Sequence, residues 1–450
     1  AIRTPERPKT YFFLLGLAET GTLGAFLAQD LLLFVLFFDL MLIPFYFLFG
    51  SWGEEHPAGE GEEPIRPAPA TIKMIVYTLV GSLLMLVGAI AAGVIAGDGT
   101  PVFSMAELRS GELLSEGTQH WIFWFFAAAF LVKMPAFLVH GWMPDAYRVA
   151  PLPVLAVFSA VLSKVGAYGF LWIVLPIFPE ATVDFQEIVL VIALASILYG
   201  SVMAFTQTSA RLVAGYSSVA QLGFITLGIF ALRPDGADGA VIQMVNHGIV
   251  IVPLMLIIVL LAERAQGSDD ITKMGGIAMR APVLAALFLV VTMALLAIPG
   301  SANFIGEFFI LNGVFQEKIV FALIATLGVI MASYYALRLF QHAMHNRKPA
   351  GVESLEVGWR EGAIIGALVA CIVGLAFYPQ VVLHRADDAV SGTVSAVACE
   401  ESTYSTAGEP GEAGTAGVEV ECGAPGGASA SLAPASQPHT PAGEAEEVGE

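Results

Sequence analysis

Apolar residues in this chain come in long, nearly unbroken runs rather than in the mixed pattern of a soluble domain. A bilayer core about 30 Å thick needs about 20 apolar residues per helix. Applied to the 450 residues, this rule predicts eleven spans and therefore an all-α polytopic membrane protein. The predicted spans are 11–29, 30–50, 72–96, 121–139, 150–174, 186–205, 212–231, 239–262, 282–314, 319–342 and 362–383.

Two of these spans contain proline at positions that predict a broken helix. Pro135 interrupts the fourth span and Pro299 the ninth, because proline lacks the amide donor and clashes with the preceding turn. Each is fourth in a group of five spans, so the second group enters the membrane from the opposite side. This pattern predicts two inverted five-helix repeats, over residues 11–174 and 186–342, each with a broken helix of the kind that lines transport paths. The alternative is that proline is simply common in membrane helices.

Basic residues test the predicted topology, since they concentrate on the cytoplasmic side of membrane proteins. With residues 1–10 as a cytoplasmic stub, fourteen Lys and Arg residues fall in cytoplasmic connections and four in the opposite ones. A missed span would move every later connection to the opposite side of the membrane and remove this bias. The count also predicts that the last helix, over residues 362–385, brings the chain to an extracytoplasmic C-terminus.

Composition narrows the function classes. Charged residues make up 13% of the chain, where soluble proteins have roughly a quarter. The formal net charge of −19 argues against a nucleic-acid partner. Twelve acidic residues and no Lys or Arg lie beyond Ala386, among many Gly, Ala, Ser and Pro. Residues 386–450 are therefore predicted to form a disordered acidic tail.

Motifs for metals and nucleotides are missing from the sequence. None of the three cysteines forms a CxxC pair or a Cys/His cluster, which argues against a zinc or iron–sulfur site. No glycine-rich phosphate loop stands between a strand and a helix pattern. The sequence therefore predicts neither a metal site nor a bound cofactor in this chain.

A few ionisable residues fall inside the predicted spans, where each costs about 2.5–3.5 kcal/mol and so requires a reason. Lys133 stands beside the first break, and a lysine at mid-span cannot reach the membrane interface. His247 could instead be a neutral, packed imidazole. The candidate proton-carrying residues are Asp39, Lys133, Lys164, His247 and Glu307, with His140 nearer to a span end.

These residue types suit proton transport. Desolvation favours the neutral form of a lysine and a nearby carboxylate restores the charged form, so a pair whose separation varies can act as a proton switch. Asp39 is the candidate partner of Lys133 within the first repeat. Lys164, His247 and Glu307 are predicted to continue the path as a relay linked by water. A passive scaffold would give no reason to keep these charges in the membrane.

A series of short segments, in order along residues 10–385, carries a resemblance to a known family. The segments are Phe38–Pro44 with Trp52-Gly53, Val132–Pro135, His140–Ala146, Ser163–Gly169, Tyr216–Ser218, Met244–Gly248, Met274–Gly276 and Gly306–Phe308. Together they resemble the antiporter-like membrane subunits of complex I, the proton-pumping NADH:quinone oxidoreductase. Glu307 is similar to the residue of subunit M (chain 4), whereas subunit L has a lysine there.

The resemblance implies a fold and a set of roles. The eleven spans would be family helices four to fourteen, with the first three lacking from this sequence, which starts at Ala1 rather than Met. Asp39 would take the place of the family's helix-five glutamate, and Lys133 and Lys164 those of its two lysines. His140, His247 and Glu307 would complete the relay. Asp39 is one methylene shorter than glutamate, so a bridging water is expected between it and Lys133.

The resemblance also implies partners and a location. Electron transfer from NADH to quinone would take place in other subunits, which would hold the FMN, the iron–sulfur clusters and the quinone. The partners would be the other membrane-arm subunits, especially the neighbouring antiporter-like ones, within the cell membrane of a bacterium. An alternative with the same charge pattern is a subunit of a multisubunit cation/proton antiporter or of a membrane-bound hydrogenase.

Overall fold

The computed structural model describes residues 5–55, 64–97, 99–109, 113–347, 349, 351–353 and 355–407, and within these the fold is helical, with two isolated β-bridges and no sheet. The first half contains α1 (Pro8–Leu27), α2 (Leu31–Leu40), α3 (Leu42–Trp52), α4 (Pro67–Ala96), α5 (Met105–Arg109), α6 (Glu116–Lys133), α7 (Met143–Val149), α8 (Leu152–Val157), α9 (Ser163–Gly169), α10 (Leu175–Ile177) and α11 (Pro179–Asp184). The second half contains α12 (Gln186–Thr206), α13 (Ala210–Ile229), α14 (Pro234–Arg264), α15 (Pro282–Leu295), α16 (Ala302–Glu317), α17 (Ile319–Met344), α18 (Trp359–Phe377) and α19 (Gln380–Ala407).

The predicted spans agree with these helices. Nine helical segments of the described chain are long and apolar enough to cross a membrane, and they match nine of the eleven predicted spans. The two others are the spans that proline was predicted to break. α6 ends at Lys133, and residues 296–301 separate α15 from α16. The prediction of an all-α membrane fold is confirmed.

Large apolar side chains cover the outside of the bundle, where a bilayer would contact them. Large apolar residues such as Phe13, Leu36 and Ile330 are more than half exposed on the outside of the bundle. Lys133 and Glu307, by contrast, are 1% and 3% exposed. Ionisable groups of membrane proteins face the bundle interior in this way. Lys133, Lys164 and Glu307 are therefore internal, whereas Glu19 in the first span is exposed on the outside of the bundle.

The two breaks share one backbone geometry. In each break, the backbone N–H of one residue donates to the carbonyl of the residue five positions earlier. The carbonyl of that same residue then accepts from the N–H three positions later. The first break has Ala136 to Leu131 (2.9 Å) and Val139 to Ala136 (3.1 Å), and the second has Ile298 to Met293 (3.3 Å) and Ser301 to Ile298 (2.9 Å). The intervening Leu138 and Gly300 both adopt left-handed φ, of 78° and 93°. The two breaks therefore adopt the same local backbone geometry.

Two further irregularities fall next to predicted site residues. The second span is interrupted at Met41, two residues after Asp39, because Pro44 cannot donate to the Leu40 carbonyl. In the fifth span, α9 lies between two π-helical turns, Phe158–Leu162 and Phe170–Val174, and it carries Lys164. Wide turns of this kind are frequent at functional sites of membrane and soluble helices.

The prediction for the C-terminal region is wrong in part. The helix expected over 362–385 is two helices, with a break at Tyr378 and Pro379, and α19 continues to Ala407 where a disordered tail was predicted from 386. The reason is an apolar row at helical spacing, Val390, Val394 and Val397, each at most 3% exposed. Small and polar neighbours obscure this row in the sequence. α19 packs along α10, α11 and the first turns of α14; residues 408–450 lie outside the described residues.

Candidate functional site

Lys133 ends the first half of a broken helix with its ammonium group inside the protein. Its Nζ atom lies 3.4 Å from the Phe38 carbonyl oxygen and 4.1 Å from the centre of the Phe38 ring. A long hydrogen bond and a cation–π contact are weaker partners than a carboxylate would be. The charged form of Lys133 is therefore held loosely.

Asp39 follows Phe38 at the kink between α2 and α3. Its carboxylate interacts electrostatically with Lys133 and with Ser82. No ion pair of 4.0 Å or less joins Asp39 to Lys133 in the described chain, and Oδ1 of Asp39 is buried without a hydrogen-bond partner. The short aspartate side chain thus stops short of the lysine. A water molecule bridging the two groups would satisfy both.

Lys164 and His247 form a direct contact across the two halves of the protein. Nζ of Lys164 lies 2.7 Å from Nδ1 of His247 and donates to the Ser159 carbonyl at 2.9 Å. On the other side of the ring, Nε2 of His247 lies 3.2 Å from the Ser218 hydroxyl. His247 is fully buried. An imidazole that is bonded through both nitrogens can accept a proton on one side and release one on the other.

A narrow cavity joins Lys133 to this contact. It is large enough for about one water molecule and is bounded by Lys133, Ser159, Ser163 and Ser218 among apolar and aromatic side chains. Ser159 bonds to Lys164 and Ser218 to His247. The cavity therefore borders Lys133 and two residues that bond Lys164 and His247, and it has room for about one water molecule.

Glu307 is held by a pair of glutamines. Its Oε1 atom accepts from Nε2 of Gln221 at 2.7 Å, and Oε1 of Gln221 accepts from Nε2 of Gln243 at 2.6 Å. Gln221 is three residues beyond Ser218 on α13, and Gln243 four residues before His247 on α14. Residues at these spacings share one helix face. Lys164, His247, Ser218, the glutamines and Glu307 consequently form one row inside the bundle.

Several buried polar atoms beside this row have no partner within the described chain. They are Oε1 of Gln243, Oδ1 of Asn246, both terminal atoms of Asn303 and the Tyr335 hydroxyl. Buried polar groups in proteins normally have hydrogen-bond partners, and ordered water supplies them where side chains do not. The surroundings of Glu307 therefore suit water, and a chain of hydrogen bonds.

His140 lies apart from the row, at the far end of the first break. Its Nε2 atom is 3.0 Å from the Tyr199 hydroxyl, and its ring contacts that of Tyr199 at 4.7 Å between centres. The structure thus brings together Lys164, His247 and Glu307 and places a narrow cavity between them and Lys133. Asp39 lies beside Lys133, and His140 pairs with a tyrosine.

The sequence prediction missed the polar residues that complete the row: Ser159, Ser218, Gln221 and Gln243. Their signal is present but weak, since an uncharged amide or hydroxyl costs little in a membrane helix. All 20 residues of α13 are buried, so every polar residue on it is internal. Several polar residues on two faces of one span indicate that the span is buried on all sides, and this pattern would have pointed to the polar residues of α13.

One group of possible metal ligands occurs in the described chain, at the surface. Glu116, His120 and Asp184 bring their ligand atoms within 4.8 Å of one another. His120 and Asp184 are already paired at 2.7 Å. The group lies at the opposite end of α6 from Lys133, so it is separate from the internal row.

Comparisons with known proteins agree on one family. The family model described as NADH:quinone oxidoreductase/Mrp antiporter, transmembrane region, matches residues 28–333. NADH-quinone oxidoreductase subunit M of Rhodobacter capsulatus is 37% identical over 386 residues, which cover 84% of this chain and 73% of the relative. Subunit M of Escherichia coli K12 is 36% identical over 375 residues, 82% and 72% of the two chains.

Solved structures give the same result. A chain of respiratory complex I from Thermus thermophilus matches with a TM-score of 0.78 and 30% identity, over 85% of this chain and 79% of that one. A chain of the Mrp complex from Dietzia matches with a TM-score of 0.71 and 21% identity, over 88% and 79%. The second likeness concerns the fold alone.

Proposed function

This chain belongs to the family of antiporter-like membrane subunits of NADH:quinone oxidoreductase, and on that basis we propose that it translocates protons within a respiratory complex I. Its part in the complex would be subunit M. Electron transfer from NADH to quinone would take place elsewhere, and this chain would carry protons across the membrane. In enzyme terms it is one component of a translocase.

The observation that supports this function is the buried row of proton-carrying groups. The contact at 2.7 Å between Lys164 and His247 joins the two halves of the fold at the middle of the bundle. A row of buried ionisable groups is costly, and such rows mark ion paths in membrane proteins. Scaffolding between neighbours would require apolar packing instead.

Each residue has a role in this proposal. Lys133 takes up a proton when Asp39 approaches, because an opposite charge favours the ammonium form, and releases it when Asp39 withdraws. Water in the narrow cavity carries the proton to Lys164. His247 passes it to the glutamine-lined region, where Glu307 receives it for exit or for transfer to the next subunit. His140 acts on the entry side.

The redox groups are assigned to partner subunits. Without Cys clusters or phosphate loops, this sequence has no motif for FMN, an iron–sulfur cluster or a quinone headgroup. The partners are membrane-arm subunits, above all the neighbouring antiporter-like chains, and lipid.

We place the chain in the cell membrane of a bacterium with its C-terminus extracytoplasmic. The fourteen-to-four distribution of basic residues supports this orientation. Cys422 is the probe: after reduction, an impermeant thiol reagent should label it in intact cells. Labelling that requires lysis would reverse the topology. In the control, Cys371, which lies within α18, is replaced by Ser so that only tail cysteines react.

The function is tested by determining which membrane complex contains the chain. In a blue-native gel of mild-detergent membranes, the chain should migrate with NADH-oxidising activity. Migration with small antiporter subunits, or with hydrogenase activity, would instead favour the alternative machines that share this fold. In either case Lys133→Met would be expected to stop ion transport, so the gel tests the assembly and the variant tests the path.

A further inference from the structure

We propose that protons reach the internal row from the basic end of the bundle through Tyr216 and Tyr199, which hand them to His140. This inference rests on the proposed function and specifies its entry path. The basic end is the end at which α4, α8 and α13 begin. The two tyrosines belong to α12 and α13, and neither was among the residues predicted to carry protons.

The outer end of this path is a charged cluster at the surface. Nζ of Lys73 lies 2.7 Å from Oδ2 of Asp145, and Arg148 lies 3.7 Å from the other oxygen. All three side chains remain partly exposed, at 42%, 31% and 28% for Lys73, Arg148 and Asp145. A carboxylate that is wet on one side and faces the protein on the other can collect protons from solvent.

Tyr216 connects that cluster to the interior. It is 5% exposed and interacts electrostatically with Arg148 and Asp145. Its ring packs edge-on against that of Tyr199, with 6.3 Å between the ring centres, and its hydroxyl interacts electrostatically with that of Tyr199. Tyr216 therefore lies between the surface charges and the Tyr199 hydroxyl, and interacts electrostatically with both.

Tyr199 completes the connection to the broken helix. Its hydroxyl lies 3.0 Å from Nε2 of His140, and Nδ1 of His140 is buried beside Ala136. Ala136 is three residues from Lys133 in the same break. The proposed path therefore runs from the surface cluster through Tyr216 and Tyr199 to His140 and the break that Lys133 ends.

The chemistry of this path is proton transfer alone. As one proton arrives at Tyr216 from the surface, the tyrosine hydroxyls each pass on the proton they hold, and one proton arrives at His140. No carbon-bonded group changes and no electron moves. The competing explanation is that Tyr216, Tyr199 and His140 only pack against one another and transport nothing. Packing requires the aromatic rings but not the hydroxyl groups.

The experiment removes the hydroxyls and keeps the rings. Tyr199→Phe and Tyr216→Phe should lower proton translocation by the assembled complex in proteoliposomes by about tenfold, less than the roughly 10²–10⁴-fold cost of a lost catalytic proton-transfer group, because a bridging water can partly replace a hydroxyl. Tyr77→Phe is the matched control, because the Tyr77 hydroxyl lies beside Gly141 of the same loop but outside the chain of contacts. It should translocate like the parent.

Two further readouts separate transfer from packing. Exchange of water for D2O should slow Tyr199→Phe by a larger factor than the parent, because proton delivery becomes limiting. Tyr199→His restores a ring that carries a proton and should recover most of the rate. If Tyr199→Phe and Tyr216→Phe translocate normally while Lys133→Met does not, the entry path lies elsewhere and the proposed function stands. If Lys133→Met also translocates normally, the proposed function fails.

Discussion

The two breaks have the same backbone geometry but different chemistry. At the first, Lys133 has a carbonyl at 3.4 Å, an aromatic ring and a carboxylate that does not reach it. At the second, Glu307 accepts a 2.7 Å hydrogen bond from Gln221, which is itself held by Gln243. One charged group is loosely held, and the other is fixed by two amides.

This difference shows how a repeated fold can serve two steps of one path. A loosely held lysine responds to small movements of a nearby carboxylate, because no strong hydrogen bond opposes a change of charge. A carboxylate fixed by amides keeps its position and changes only its proton. The first site is suited to switching and the second to receiving. Their places also differ: Lys133 ends the first half-helix of its break, whereas Glu307 lies within the second half-helix.

Removing the charge of the first site should have the largest effect. Lys133→Met keeps the length of the side chain and eliminates the proton-carrying group, so we expect quinone-reductase activity to fall by about a hundredfold. Activity is measured in complexes shown by native gel to be assembled. Normal turnover in such complexes would exclude Lys133 from the path.

Changes at Asp39 distinguish charge from geometry at the same site. Asp39→Asn removes the charge that draws a proton to Lys133, and activity should fall by about tenfold or more. Asp39→Glu keeps the charge and reaches further, so its activity should stay near that of the parent. Both variants are assayed for proton uptake as well as turnover. An Asp39→Asn complex that pumps fully would place the switch outside this pair.

The second site should respond more moderately. Glu307→Gln keeps a hydrogen bond to Gln221, because an amide oxygen can replace the carboxylate oxygen, so the helices should still pack. Proton pumping should fall several-fold, since water bound near Asn303 and Tyr335 can carry part of the proton flux. Gln221→Leu leaves the charge and removes its support, and its pumping should be intermediate between those of Glu307→Gln and the parent. If Glu307→Gln pumps fully, the exit path avoids this residue.

The smallest expected effect concerns how the second broken helix begins. The Glu356 carboxylate accepts from the backbone N–H groups of Val283 and Leu284, at 2.9 and 3.0 Å, in the first turn of α15. Burial acts to raise the pKa of Glu356, but these bonds, one from Val357 and the nearby Arg264 lower it overall. α6, in the first half, has no side-chain cap at its start.

Because the pKa of Glu356 is depressed in the folded protein, its contribution to stability is complete above the ordinary value of 4.5 and disappears as the pH falls through the folded value. Glu356→Gln should cost about 1 kcal/mol or less at neutral pH, since the group is exposed to solvent. Thermal unfolding of the detergent-solubilised complex measures this. A variant that loses more stability relative to the parent at pH 4 than at pH 7 would contradict the assignment.

The sequence predicted the parts of the fold that follow from bulk hydropathy and from proline. Nine spans needed only length and apolar content, and Pro135 and Pro299 located both breaks. α19 was missed because three valines among small residues do not raise the local hydropathy. At the site, Lys133, Lys164 and Glu307 could be found because a charge in a span is conspicuous. Gln221, Gln243 and Tyr199 are less conspicuous, because they carry no charge and their contacts form only when α12, α13, α14 and α16 meet.

The contact between Lys164 and His247 links the first half of the row to the second, and the proposed proton path depends on it most. The direct test is proton translocation by assembled complexes carrying Lys164→Met, with Thr326→Met on α17 as the control for a methionine in a span. Translocation should fall by about a hundredfold in the first variant and remain at the parental rate in the second. Parental translocation by Lys164→Met would contradict a path that runs through this contact.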